Sequence, residues 1–219
     1  MKKALIFDLD GTILDTLDDL ADALNYALQT HGYPRRTVEE VRRMVGNGIG
    51  NLVSRGIQEG REPQSDGEVQ EVLKTFKGYY ADHCRDKTKP YDGVLEALDQ
   101  LKKAGYALAL VSNKADFAVQ ELRGVFFPGV FDYVTGERSG VARKPAPEMV
   151  HNARAALGVV PEECVYIGDS EVDVATARNA GVDMVAVTWG FRTKEDLLAA
   201  GARRFADTPR ELEQLLSQH

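Results

Sequence analysis

Asp8 and Asp10 stand one residue apart, directly after the apolar run of residues 4–7 and directly before Gly11 and Thr12. Two carboxylates this close repel each other unless a divalent cation or a shared proton intervenes. An acidic turn capping a helix that starts near Thr16 would account for one aspartate and a threonine. It does not account for Asp-x-Asp-Gly-Thr placed immediately after a buried strand, so the pair is read as a catalytic site. Three further groups have matching chemistry. Ser112 and Asn113 follow an apolar run, with Lys114 next. Lys144 lies in Arg143-Lys144-Pro145-Ala146-Pro147. Gly168-Asp169-Ser170 closes another apolar run, with Asp173 four residues beyond Asp169.

A phosphoryl group in transfer needs a nucleophile, charge neutralisation and hydrogen-bond donors. These residue types supply all three. Asp8 and Asp169 are candidate carboxylate ligands for Mg²⁺, which prefers oxygen donors. Asp173, one helical turn after Asp169, can reach the metal's waters or Lys144. The hydroxyl and backbone N–H groups of Ser112 and Asn113 can bind phosphate oxygens, and Lys144 supplies a positive charge opposite the metal. Each group alone is commonplace: a turn, a helix cap or a solvated lysine. Their order, each near the end of a strand, is what points to one site.

The elements that must position them alternate. Strand-like runs occupy residues 4–7, 106–111, 131–136, 164–168 and 183–188. Helical patterns separate most of them, as at 94–104, stopping at Gly105, and 171–180, stopping at Gly181. This alternation predicts an α/β, Rossmann-like core, a parallel sheet with helices on both faces. Open sheets of this kind bind ligands at the carboxyl ends of their strands, where all four groups would converge. Thr208-Pro209-Arg210-Glu211 opens a last helix docked by Leu212, Leu215 and Leu216, and residues 202–206 are a candidate edge strand.

Residues 15–90 break the alternation and contain no evident strand. Leu17, Leu20, Ala21, Leu24 and Leu28 are spaced for one helix. Thr37-Val38-Glu39-Glu40 is a capping box for a second. Ile49, Leu52, Val53 and Ile57 suggest a third, and Val69, Val72, Leu73, Phe76, Tyr79, Tyr80 and His83 a fourth, with His83 packing on its apolar face. The expected organisation is therefore a core of residues 1–14 and 91–219, with residues 15–90 an inserted all-α cap placed to act as a lid. Gly46, Asn47 and Gly48 form a loop whose backbone can approach a ligand, or a plain break between two helices. Arg42, Arg43 and Arg55 flank it and can pair a substrate carboxylate, or serve as solvated helix-face charges.

Composition narrows the class. The chain has 219 residues, 43% hydrophobic and 28% charged, with a formal net charge of -7. That balance, without a long Lys/Arg run, argues against a nucleic-acid partner. No stretch has the apolar length of a membrane span, and no signal-peptide pattern precedes the first strand. Cys84 and Cys164 are read as reduced thiols, which with the missing leader predicts a cytoplasmic protein. His31, His83, His151 and His219 form no zinc pattern.

On Asp8-Leu9-Asp10-Gly11-Thr12, Leu110-Val111-Ser112-Asn113, Lys144 and Gly168-Asp169-Ser170-Glu171-Val172-Asp173, the chain resembles the haloacid dehalogenase-like hydrolase superfamily in its phosphatase majority. A helical cap between the first and second motifs matches that superfamily's first cap type. Val45-Gly46-Asn47-Gly48, the Arg143–Pro147 segment, Asn179-Ala180-Gly181 and Thr188-Trp189-Gly190-Phe191 are most similar to phosphoglycolate phosphatases. The resemblance implies a Mg²⁺-dependent phosphomonoesterase acting on a small phosphorylated metabolite, as a monomer or homodimer. It implies Asp8 as nucleophile and metal ligand, and Asp10 as acid/base with its backbone carbonyl on the metal. Asp169 is implied as a metal ligand, Ser112, Asn113 and Lys144 as holders of the transferred group, and Thr12 as the residue orienting Asp10. Pyrophosphate, nucleotide and sugar phosphate substrates, and phosphomutase chemistry, share most of these residues. Dehalogenation would not need Asp10, and a phosphonate hydrolase would need a Schiff-base lysine where the cap offers Lys74 and Lys77. A receiver-like module would have no place for the helical insert, and a catalytically dead binding protein would not keep every competent residue.

Overall fold

Alternating apolar runs and capped helices fold as follows in the computed structural model, which describes residues 2–58 and 65–217. The chain begins with β1 (Ala4–Phe7) and β2 (Leu14–Asp15). Four helices follow: α1 (Leu17–Thr30), α2 (Val38–Met44), α3 (Gly48–Gln58) and α4 (Asp66–His83). Next come β3 (Lys89–Pro90), α5 (Val94–Lys103), β4 (Ala107–Ala115), α6 (Asp116–Phe126), β5 (Tyr133–Glu137) and α7 (Glu148–Leu157). The chain closes with β6 (Cys164–Gly168), α8 (Glu171–Ala180), β7 (Asp183–Val187), α9 (Lys194–Ala200), β8 (Phe205–Ala206) and α10 (Pro209–Ser217). His219 lies outside the described residues.

Six strands form one parallel sheet in the order β5-β4-β1-β6-β7-β8. β1 is central, and its four residues are buried on both faces. Phe7 is level with Leu110 on one side and Ile167 on the other, so Asp8, Ser112 and Asp169 emerge from three adjacent strands. On one face Ala4, Ile6, Ala109, Val111 and Tyr166 pack on Met149, Val150 and Ala153 of α7 and on Ala177 and Ala180 of α8. On the other, Phe7 meets Phe131 edge-on at 6.2 Å, and Phe131 meets Phe127 at 5.8 Å. Burying Leu5, Ile6 and Phe7 contributes about 1.5–3 kcal/mol each. That anchors a strand whose next residues are desolvated carboxylates.

Several expected boundaries move. β4 does not stop at Val111. It stays extended through Ser112, Asn113 and Lys114 to Ala115, pairing with β5 across a shift of register. Gly136 permits this, because a Cβ there would lie 2.5 Å from Asp116 Cα and 2.6 Å from Lys114 O. The edge strand shrinks to Phe205–Ala206. Two short strands, β2 and β3, close both ends of the segment read as strand-free, and form a separate two-stranded sheet.

The chain divides into two compact units, Met1–Asp15 with Pro90–His219, and Thr16–Lys89. Within the helical unit, the stripe Leu17, Leu20, Ala21, Leu24 and Leu28 is buried, as are Ile49, Leu52, Val53 and Ile57. α2 starts on the Thr37–Glu40 capping box. Gly56 lets α3 close on α1, since a Cβ there would lie 2.9 Å from Leu24 Cδ1. Asp19 is buried in α1 and accepts the backbone N–H groups of Lys87 and Thr88, tying the returning chain to the start of the helix. His83 does not pack in the apolar face. It lies partly exposed at the end of α4, stacked on Tyr79 at 4.1 Å and bonded to Asp86 at 2.7 Å. Among the described residues no helix is long and apolar enough to cross a membrane. Cys84 and Cys164 are buried and not joined in a disulfide.

Candidate active site

Asp8 continues β1 by one residue, its N–H bonding Ile167 O at 2.9 Å. The chain then turns sharply. Leu9 O accepts from the N–H groups of Thr12, Ile13 and Leu14, and Gly11 sits at φ 81°, the left-handed region glycine enters freely. β6 ends at Gly168, so Asp169 and Ser170 fall beside Asp8. Ser170 caps α8 and returns Asp173 toward the strand.

Lys144 sits among these carboxylates, its side chain almost fully buried. Its Nζ lies 2.8 Å from Asp8 Oδ1, 2.9 Å from Asp173 Oδ1 and 2.9 Å from Tyr166 Oη. Burial works to strip its proton, but Asp173 and Asp8 outweigh burial and hold Lys144 well above the usual lysine range. Burial pushes the Asp8 carboxyl up to about 7, with Lys144 opposing and Asp173 and Asp10 adding to the rise. Burial, then Asp173 and Asp8, also raise Asp169 well above the carboxylate range. The Tyr166 phenol is raised too, by burial and by Asp173, so it stays protonated.

This arrangement fits a divalent cation. Asp8, Asp169 and Asp173 each bring one carboxylate oxygen within 4.8 Å of the others. When ionised, three carboxylates against one ammonium leave an excess of two negative charges among oxygen donors, the setting Mg²⁺ suits. The three are not equivalent. Asp173 spends Oδ1 on Lys144 and Tyr166, and Oδ2 on the Ser170 N–H and hydroxyl. Asp169 accepts one donor on each oxygen, Thr12 Oγ1 at 3.2 Å and the Phe191 N–H at 2.7 Å. Asp8 and Asp169 therefore keep more capacity to ligate an ion than Asp173 does.

The remaining expected residues divide. Ser112 is buried, and its Oγ accepts the Lys114 N–H at 3.2 Å, which leaves the hydroxyl proton available to a ligand. The Asn113 amide is committed to the Lys144 backbone. Its Oδ1 accepts the Lys144 N–H and its Nδ2 donates to the Lys144 carbonyl, both at 2.9 Å. Its side chain thus anchors the lysine's loop, and contact with a phosphate falls to its main chain. Thr12, expected to orient Asp10, bonds Asp169 instead, because the Gly11 turn carries its hydroxyl toward β6. The Asp10 carboxylate stands apart from the three-carboxylate group and pairs with Lys114 at 2.7 Å.

Three participants go beyond the residues expected from sequence. Lys114 is as deeply buried as Lys144. Its one signal is its place two residues after Ser112, which in extended chain puts both side chains on the same face. Tyr166 reads in the sequence as strand core. Trp189, Gly190 and Phe191 carry a resemblance but no chemistry of their own. They form a buttress, in which Trp189 Nε1 donates to Thr12 O at 2.9 Å and the Phe191 N–H holds Asp169.

In the helical unit, Gly46 and Gly48 take φ 120° and 79°, and with Asn47 they make the turn into α3. Arg42 and Arg43 pair with Glu39, at 3.2 and 3.5 Å. Arg55 donates to the carbonyls of Arg43 and Met44 at the end of α2.

Comparison with known proteins follows the same lines. The family model for haloacid dehalogenase-like hydrolases matches residues 5–187. The phosphoglycolate phosphatase of Colwellia psychrerythraea is 33% identical over 215 residues, covering 96% of this chain and 95% of that protein. That of Caulobacter vibrioides is 35% identical over 218 residues, covering 97% and 92%. A solved structure from Lactobacillus delbrueckii subsp. bulgaricus, provisionally identified as a phosphoglycolate phosphatase, superposes with a TM-score of 0.94 at 44% identity, covering 99% of each chain. The chain belongs to the haloacid dehalogenase-like hydrolase family and resembles its phosphoglycolate phosphatases.

Proposed function

We propose that the chain is a Mg²⁺-dependent phosphomonoesterase of a small metabolite, with 2-phosphoglycolate the favoured substrate, working through an aspartyl-phosphate on Asp8. The observation that supports this best is the placement of Asp8. Its carboxylate sits 2.8 Å from the Lys144 ammonium, in one buried group with Asp169, at the ends of adjacent parallel strands. The named relatives support the choice of substrate.

A carboxylate oxygen of Asp8 attacks phosphorus in line, and the bond from phosphorus to the leaving oxygen breaks. Asp10 gives that oxygen its proton. It then takes a proton from the water that attacks the same phosphorus, which releases phosphate and restores the Asp8 carboxylate. Lys114, 2.7 Å from Asp10, fixes where that carboxylate stands. The Ser112 hydroxyl, the Asn113 main chain and the Lys144 ammonium hold the oxygens of the transferred group. Asp8 and Asp169, with the Asp10 carbonyl, would hold Mg²⁺, which when bound would supply positive charge between the carboxylate and the phosphate dianion.

The helical unit is inserted in the connection that follows Asp8 and Asp10, and we assign it the role of a cap whose Gly46–Gly48 turn helps select the leaving group. Two cysteines outside any disulfide accord with a cytoplasmic enzyme. A phosphatase screen with and without Mg²⁺, over 2-phosphoglycolate, pyrophosphate, nucleotides and sugar phosphates, tests the reading. Turnover that survives Asp8→Asn, or is undiminished by a chelator, sinks the mechanism. A low rank for 2-phosphoglycolate removes the substrate assignment alone.

A further inference from the structure

Tyr166 lies in the middle of β6, level with Ile6, with no exposed surface. A buried tyrosine usually finds a hydrogen-bond partner for its hydroxyl, often a single backbone carbonyl. Tyr106 uses one, donating to Leu216 O at 2.5 Å. Tyr166 does not. Its Oη accepts from Lys144 Nζ at 2.9 Å and donates to Asp173 Oδ1 at 3.0 Å, while Asp173 Oδ1 itself accepts from Lys144 Nζ at 2.9 Å. The three side chains close a triangle sealed from solvent. Gly168 makes room for it. Two residues after Tyr166 on the same face, it has no side chain, and a Cβ there would lie 2.4 Å from Asp173 Cβ. Asp173 can therefore drop onto the strand and reach the phenol.

An ammonium has three N–H groups and no acceptor. The triangle uses two, one on a neutral oxygen and one on a carboxylate, and Asp8 Oδ1, 2.8 Å from the same ammonium, meets it as an ion pair outside hydrogen-bond geometry. Without the phenol, Asp173 would be the only partner opposing Asp8, and the ammonium would be free to swing between two carboxylates. We propose that Tyr166 is a positioning residue for the phosphoryl-transfer site, its hydroxyl fixing the Lys144 ammonium toward Asp8 and the transferred group. This rests on Asp8 as nucleophile and Lys144 as the cation beside it. Tyr166 touches neither substrate nor reacting atoms. It acts through Lys144.

Tyr166→Phe keeps the ring and the strand and removes only the hydroxyl. Tyr106→Phe is its control, removing a buried phenolic hydrogen bond far from the site. Both are compared with wild type on the phosphate ester that wild type turns over fastest, by kcat and KM separately, by inhibition with inorganic phosphate, and by thermal melting. The expected result is a kcat about tenfold or more lower in Tyr166→Phe, the scale of a hydrogen bond to a charged group. KM and inhibition by inorganic phosphate should change little, and the melting loss should be similar to that of Tyr106→Phe, whose kcat stays at the wild-type value. Wild-type kcat in Tyr166→Phe overturns the proposal, as does an equal kcat loss in Tyr106→Phe. Failure of Tyr166→Phe to fold would assign the phenol to stability and overturn it also. If Asp8→Asn retains turnover, the underlying mechanism fails; if Asp8→Asn is dead and Tyr166→Phe is not impaired, only this inference falls.

Discussion

Gly190→Ala should damage the site without replacing any residue assigned to chemistry. A methyl carbon built at Gly190 would stand 2.3 Å from Gly11 O and 2.4 Å from both Cβ and Oδ2 of Asp169. Ordinary contacts of this kind need about 3.5 Å, so the neighbours must yield by about 1 Å. Gly11 is held in its turn by the N–H to Leu14 O, so Asp169 is the group that moves. Its Oδ2 accepts the Phe191 N–H at 2.7 Å, and a shift of about 1 Å takes that bond outside hydrogen-bond range. Overpacking of this kind costs about 1–3 kcal/mol, and a lost hydrogen bond to a buried charge about 1.5–3 kcal/mol. Together they predict a melting temperature lower by about 5–24 °C for a chain of this size.

The displaced carboxylate should also hold Mg²⁺ more weakly, by about 10- to 100-fold, as for lost support around a ligand. Gly124→Ala is the counterpart. Gly124 lies exposed in α6, where an added methyl would have nothing within 4 Å, so the same substitution there should stabilise by about 0.5–1 kcal/mol. Thermal melts in chelator and across a Mg²⁺ titration separate the two effects. A Gly190→Ala protein that melts with wild type, or that responds to Mg²⁺ at the same concentration, refutes the idea that the β7–α9 loop braces Asp169.

Asp8 at about 7 against 3.8 for an ordinary carboxyl binds its proton more tightly when folded, so its contribution to stability is fully present below pH 3.8 and lost as pH rises through 7. In chelator, wild type should lose a few kcal/mol relative to Asp8→Asn between pH 4 and pH 8, read by urea unfolding; parallel curves would contradict this. Asp169→Asn should raise the Mg²⁺ concentration needed for a thermal shift. Asp173→Asn should leave that requirement nearly unchanged and instead cost about 3 kcal/mol, by breaking a buried pair with Lys144. Asn113→Ala should cost about 2 kcal/mol through its two bonds to the Lys144 backbone and lower kcat by loosening that lysine, which steady-state kinetics and melting check together.

The sheet is legible in the sequence because each strand next to the site is a short apolar run ending in a polar or small residue, and burial on both faces leaves little else for such a run to be. Helix starts with capping boxes are legible too, and the Thr193–Asp196 box opening α9 and the Gly201 closing it carry the same signals. What sequence cannot supply is the choice of partner among side chains brought together from distant segments. Thr12 and Asp169 are 157 positions apart, Lys114 and Asp10 104, and Trp189 and Thr12 177. Periodicity tells which face a residue occupies, not which of several polar groups on that face it meets. His83 departs from expectation because it lines up with half-buried Tyr79, beside the buried line of Val72, Phe76, Tyr80 and Cys84 rather than on it. The extension of β4 past Val111 depends on Gly136, on the neighbouring strand.

The glycines of the site show how Asp169 and Asp173 are held. A Cβ at Gly11 or Gly190 would strike Asp169, and one at Gly168 would strike Asp173. Bare main chain therefore packs against both carboxylates, and the Phe191 and Ser170 N–H groups that bond them belong to the same close-packed backbone. A carboxylate held by a side chain can be released by one rotamer change, at a cost of about 1 kcal/mol. Release from packed backbone requires the loop itself to move. Side chains complete the hold, Thr12 on Asp169 and Lys144, Tyr166 and Ser170 on Asp173, so a single rotamer change frees neither carboxylate. Asp10 meets a cation from the other side of β1, the buried Lys114 ammonium of β4, which sets the proton carrier apart from the carboxylates around Lys144.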